Sequence, residues 1–260
     1  MKNLMFCTAL FLAFGCKSNV KETPHMPGAY FMISQTINDG KKDTKYTDLK
    51  QLKIYTDSFM MYAQVNPGDS VSGFGVGTYT ADTGTVFERR IYSAQDTVVG
   101  NPATFTLYIT NTPTGYTQVI PEISIGSEKS RLTEEYQSVG KTQATPLDGV
   151  WKETKFYTVK GKDTTWSKRI QYKAFYAGYF MFGQTVTDSS GKISTGIGFG
   201  TFEMNGDNKI KETDLNSTYS IIAGNAFDVD FEMNGVDNYL QTIHYPDGSK
   251  SVEAYERLTK

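Results

Sequence analysis

Phe227, Val229, Phe231 and Met233 alternate with Asp228, Asp230 and Glu232, so one face of this stretch is apolar and the other is carboxylate. A strict period of two is the pattern of a half-buried β-strand. Phe105, Leu107 and Ile109 alternate in the same way with Thr104, Thr106, Tyr108 and Thr110. No stretch repeats apolar residues at the helical period over three turns. Turn signals punctuate the chain at Asn38-Asp39-Gly40, Asp82-Thr83-Gly84, Ser190-Gly191, Asn205-Gly206, Asn234-Gly235 and Asp247-Gly248. In the C-terminal half these signals predict about eight strands, roughly at residues 149–158, 166–173, 178–187, 192–204, 208–216, 226–234, 237–245 and 250–258.

The strand pattern is written twice. Residues 55–61 match 176–182, 73–79 match 196–202, and Gly100-Asn101 with Phe105 matches Gly224-Asn225 with Phe227. Further on, residues 116–120 match 239–243 and 134–136 match 253–255. The matches keep their order at an offset of about 120 residues, which marks a tandem duplication. Residues 140–146, polar and ending in Pro146, read as the linker between units at 27–139 and 147–260. Sequential strands joined by short turns bury their apolar face by closing on themselves. The expected fold is therefore all-β: two tandem antiparallel up-and-down barrels of about eight strands each. Gly73, Gly75 and Gly77, repeated as Gly196, Gly198 and Gly200, lie on one strand face. With no helix following, this stripe reads as a place of sharp coiling or close approach, not as a phosphate-binding loop.

The second unit opens on Gly149-Val150-Trp151 and closes on Tyr255-Glu256-Arg257. This resembles the lipocalin arrangement, in which a first-strand Trp is covered by an Arg from the last strand. With the internal G-x-G-T-[FY] motif, both units are similar to bacterial lipocalin-like domains. The resemblance implies that Trp151 and Arg257 close one end of the second barrel. In the first unit Tyr30 and Ser138 occupy the matching places, so its closure must differ.

At the N-terminus, Lys2 precedes an apolar run from Leu4 to Phe14, too short to span a membrane and suited to a signal peptide. Ala13-Phe14-Gly15-Cys16 resembles a bacterial lipobox, which implies cleavage after residue 15 and lipid on Cys16. Residues 16–26, polar and Pro-containing, then read as a tether. The expected location is the cell envelope, as a lipid-anchored protein of a Gram-negative outer membrane, with the membrane as partner through the anchor. Lys and Arg number 26 against 28 Asp and Glu in 260 residues, so no basic field exists to hold nucleic acid.

Two His and two Cys starve zinc sites, His-dependent triads and disulfide frameworks alike. Cys7 falls in the signal, His25 in the tether and His244 in a late strand; Asp228, Asp230 and Glu232 read as a solvent face. No catalytic residue, metal site or cofactor is expected, and the inward positions read as aromatic, aliphatic, Met or amide side chains. Those shared by both units are Phe59, Met61, Phe105 and Leu107 in the first and Phe180, Phe182, Phe227 and Val229 in the second, which would line a lumen. Gln184, Gln241, Tyr179 and Tyr239 are polar candidates for orienting a ligand. The expected function is a non-enzymatic binder of a small hydrophobic or amphiphilic ligand. The alternative is a structural or protein-interaction lipoprotein with solidly packed barrels.

Overall fold

The computed structural model describes residue 24 and residues 26–66, 72–94, 103–125, 128–140 and 144–260. The signal segment, Cys16, most of the tether and residues 141–143 of the linker lie outside the described residues. Within them the chain is all-β, in two closed antiparallel eight-stranded barrels in tandem.

Barrel 1 comprises β1 (Gly28–Asn38), β2 (Asp43–Tyr46), β3 (Lys50–Tyr55), β4 (Phe59–Val65), β5 (Gly73–Asp82), β6 (Thr85–Ser93), β7 (Thr104–Thr112), β8 (Gly115–Ile125) and β9 (Glu128–Ser138). Barrel 2 comprises β10 (Gly149–Lys160), β11 (Asp163–Trp166), β12 (Ile170–Tyr176), β13 (Tyr179–Thr187), β14 (Ile193–Met204), β15 (Lys209–Ser217), β16 (Ala226–Met233), β17 (Asn238–His244) and β18 (Lys250–Arg257). Neighbours in sequence pair in order, and β1–β9 and β10–β18 close the two circles. Nine strands give eight barrel positions because β2 and β3 share one: both pair with β1, at Gln35–Asn38 and at Gly28–Phe31. β11 and β12 divide β10 in the same way, so the strand expected at 166–173 is two segments.

The turns follow the sequence signals, with Gly84 at φ 68° and Gly235 at φ 72° supplying the left-handed residue of tight hairpins. Bulges recur at matching places, between Met32 and Ser34 and between Glu153 and Lys155, and again at Val76/Gly77 and Phe199/Gly200. The glycine stripe sits at the second pair. A Cβ on Gly200 would meet the Thr213 carbonyl at 1.8 Å, and one on Gly77 the Arg89 carbonyl at 2.3 Å. The stripe thus lets the backbones close up where the barrels bend.

Three apolar cores result. One fills the lower half of barrel 1, with Tyr30, Tyr55, Tyr79, Val86, Leu107 and Tyr116, and a second does the same in barrel 2 with Trp151, Phe175, Phe180, Phe202, Ile210 and Tyr239. Met26, expected in the tether, is buried in the first of these, at the place Leu147 takes in the second. The third core lies between the barrels. Leu52, Ile54, Phe59, Met61, Phe74 and Val76 point out of barrel 1 onto Tyr172, Ala174, Met181, Ile197 and Phe199 of barrel 2. β3 faces β12, while β4 and β5 face β13 and β14, an arrangement with two-fold pseudo-symmetry. Phe74 lies on Gly183, where a Cβ would come within 2.2 Å of its ring. Each large apolar side chain covered here contributes about 1.5–3 kcal/mol.

Candidate functional site

One end of each barrel is closed from the first strand. In barrel 2, Trp151 is fully buried, donates from Nε1 to the Leu147 carbonyl at 2.8 Å, and meets Tyr239 edge-on. The Arg257 guanidinium lies 4.0 Å from the indole centroid and donates to the carbonyls of Pro146, Asp148 and Val236. Gly149 is glycine because Arg257 occupies the space of its side chain: a Cβ would meet Nη1 at 2.3 Å. In barrel 1 the Tyr30 hydroxyl donates to the Met26 carbonyl at 3.1 Å, replacing the indole N–H. No arginine stands opposite, since Tyr30 pairs with Ser138 where Trp151 pairs with Arg257.

Above each closed end lies a layer of buried polar side chains, with a set common to both barrels. Alternation along β3 turns Gln51, Lys53 and Tyr55 inward, and β12 does so with Gln171, Lys173 and Phe175. Lys53 Nζ lies 2.7 Å from Glu88, and Lys173 Nζ lies 2.5 Å from Glu212. Each ammonium also donates to a glutamine, Gln118 at 3.3 Å and Gln241 at 3.2 Å. Those amides donate in turn to Glu134 and Glu253. The same carboxylates accept from Tyr136 at 3.0 Å and from Tyr255 at 2.5 Å, and both tyrosine hydroxyls accept from Gln51 or Gln171. A buried charge is tolerated only when paired and hydrogen-bonded, and this layer meets that condition. Burial raises the tyrosine hydroxyls, keeping Tyr136 and Tyr255 neutral donors. Burial also raises the Glu212 carboxyl, with Lys173 opposing. At Glu253 burial acts in the same sense, yet Arg169 and Lys173 outweigh it and hold the carboxyl below its usual range.

The layer floors a cavity in each barrel. In barrel 1 the volume is about 550 Å³, walled by Met60, Tyr62, Phe105, Ile120, Ile123 and Leu132, with Arg90 stacked 4.3 Å over the Phe105 ring. In barrel 2 it is about 240 Å³, walled by Phe182, Phe227, Val229, Ile222, Ile243 and Tyr219. Apolar walls over a charged floor have the chemistry to match a molecule with a polar head and an apolar body.

No family model and no curated protein matches the chain.

Four of the eight residues expected in a lumen, Phe105, Phe182, Phe227 and Val229, line these cavities. Leu107 and Phe180 point inward too, but into the solid cores beneath the polar layer. Phe59 and Met61 are corrected: they face outward into the core between the barrels. The cause is a slip of one residue in aligning the copies. Hairpin register equates Tyr55 with Phe175, so Phe59 corresponds to Tyr179 and Met60 to Phe180. A shift of one exchanges the two faces of a strand. Gln184 and Gln241 point inward, as does Tyr239 within the lower core, while Tyr179 packs in the interface. The polar layer overturns the expectation of inward positions without acid–base pairs. Its signal was present: Gln-x-Lys, Glu, Gln and Glu-x-Tyr recur in both copies at the inward phase of alternation. His244 is exposed and lies 3.0 Å from Asp230 on the outer face. Among the described residues no His, Cys, Asp and Glu side chains are grouped to hold a metal ion.

Proposed function

We propose that the protein is a non-enzymatic, lipid-anchored envelope protein that binds a small amphiphilic ligand in its barrels. The observation that carries this reading is the polar layer repeated in both copies beneath a cavity with apolar walls. Such a floor costs desolvation energy that an apolar core would not, and a ligand head group recovers it. In barrel 1 the Lys53 ammonium is paired with Glu88, and the Glu134 carboxylate accepts from Gln118 and Tyr136, which suits holding a molecule better than transforming it. Ile120 and Ile243 hold matching places on the two cavity walls. The neutral dye N-phenyl-1-naphthylamine, sized for the larger cavity, should bind with enhanced fluorescence. Binding should be lost in Ile120→Trp and kept in Ile243→Trp. A dye that stays dark, or binding that survives Ile120→Trp in a normally melting protein, refutes the reading.

Attachment rests on the lipobox resemblance of Ala13 to Cys16. A Cys16→Ala protein should leave the membrane fraction, and its retention there would refute the anchor.

A further inference from the structure

The duplication lets each barrel be read against the other, and their polar layers differ in net charge: balanced in barrel 1, negative in barrel 2. Arg90 pairs with Gly77 across β5 and β6 at the place where Asp214 pairs with Gly200 across β14 and β15. Met32 and Leu49, both in the apolar core of barrel 1, stand where barrel 2 has Glu153 and Arg169. Barrel 1 therefore sets two cations, Lys53 and Arg90, against two carboxylates, Glu88 and Glu134. Barrel 2 sets two cations, Lys173 and Arg169, against four carboxylates: Glu153, Glu212, Asp214 and Glu253. Three of those four are engaged. Arg169 is held by Glu153 at 2.6 Å and by Glu253 at 2.7 Å, and Lys173 by Glu212 at 2.5 Å.

Asp214 is the carboxylate left over. It is 4% exposed and lines the cavity, and its Oδ1 accepts no hydrogen bond among the described residues. Gln184 lines the same cavity at 8% exposed. Its amide nitrogen donates to Tyr219, and its Oε1 is likewise without a donor. The glycine stripe seats the side chains beside them: the Phe182 ring lies over Gly198, where a Cβ would come within 2.3 Å of it, and the Tyr219 ring lies over Gly196. A Cβ on Gly198 would come within 2.8 Å of Asp214 Oδ1, and one on Gly196 would collide with the Tyr219 hydroxyl. Leaving such acceptors buried and unpaired is unfavourable, and a donor on a ligand relieves it.

We propose that barrel 2 binds a protonated primary amine with a short apolar body, its ammonium group donating to Asp214, with the Gln184 carbonyl a second acceptor on the same cavity wall. An ammonium is all donor and no acceptor, which matches two acceptors that lack donors. The body lies against Phe182, Phe227, Val229 and Ile243, and a volume of about 240 Å³ holds about eight non-hydrogen atoms. A carboxylate ligand would meet the surplus of negative charge, and a hard metal ion would lack the six or more oxygens it takes. The same surplus acts on Asp214 itself. Burial foremost, and then Glu212, push its carboxyl up to about 7 against the pull of Lys173, as expected where a positive charge is missing.

This inference rests on the ligand-binding reading and is tested separately from it. Isothermal titration of the purified full-length protein at pH 8 compares n-hexylamine, n-hexanol and n-hexanoate. Hexylamine should bind at one site at least tenfold more tightly than the other two. Asp214→Asn should weaken hexylamine at least tenfold and leave hexanol unchanged. Gln184→Met should weaken hexylamine severalfold, and Ile243→Trp should abolish its binding. Equal affinity for amine and alcohol, undiminished binding by Asp214→Asn, or no binding of hexylamine overturns the assignment. The dye site of barrel 1 stands or falls apart from all of these, so failure of the amine preference alone leaves the broader reading intact.

Discussion

Arg257 illustrates how much one side chain does at the closed end of barrel 2. Its guanidinium covers the buried face of Trp151 and ties together three carbonyls from the start of β10 and the loop before β17. Arg257→Ala should lower stability by about 2 kcal/mol in urea unfolding, and Arg257→Lys should restore only part of it, since an ammonium lacks the planar fork. Equal stability of Arg257→Ala and the parent would show the contact to be incidental. This pair was legible because Trp151 and Arg257 sit in recognisable motifs at either end of one unit. Lys53, Glu88, Lys173 and Glu212 were not, because a charged residue in a strand is ordinarily read as facing water. Only its partner, more than 30 residues away in sequence, makes its burial affordable. Glu153 and Arg169 extend the same logic: where barrel 1 has Met32 and Leu49, both charges are absent together.

At the scale of elements, strand positions were readable wherever one face is apolar and the other polar. β16 is such a strand, with Val229 and Phe231 buried and Asp228 and Glu232 exposed. Strands apolar on both faces carry less information. Phe59 to Ala63, Tyr179 to Gly183 and the glycine stripes run almost continuously apolar, and their two faces cannot be told apart by periodicity. That is where the slip of one residue arose. The same continuity was the sign of the third core. A strand closing a barrel that stands alone in water needs only one apolar face, whereas β4, β5, β13 and β14 bury both. The break between β2 and β3 went unread for a different reason. Both segments pair with β1, and residues 47–49 between them carry no strong turn signal.

At the scale of the whole molecule, the two barrels pack through a pseudo-symmetric face and keep their cavities apart from it. The lower half of each barrel is filled, so each is layered along its axis: a solid aromatic core below, a polar layer, and an open cavity above. Duplication then allowed the cavities to diverge in volume and charge while the Gln-Lys-Glu-Gln-Glu-Tyr set beneath them stayed common to both. The central claim is that these cavities are occupied by small molecules in the cell. It is tested most directly by native mass spectrometry of protein purified from the envelope of the cells that make it. The account predicts a native mass exceeding the denatured mass by one or two small ligands. The excess should shrink in Ile120→Trp and in Ile243→Trp and vanish when both are combined. Native and denatured masses that agree in the parent protein, or an excess that the combined substitutions leave untouched, would contradict it.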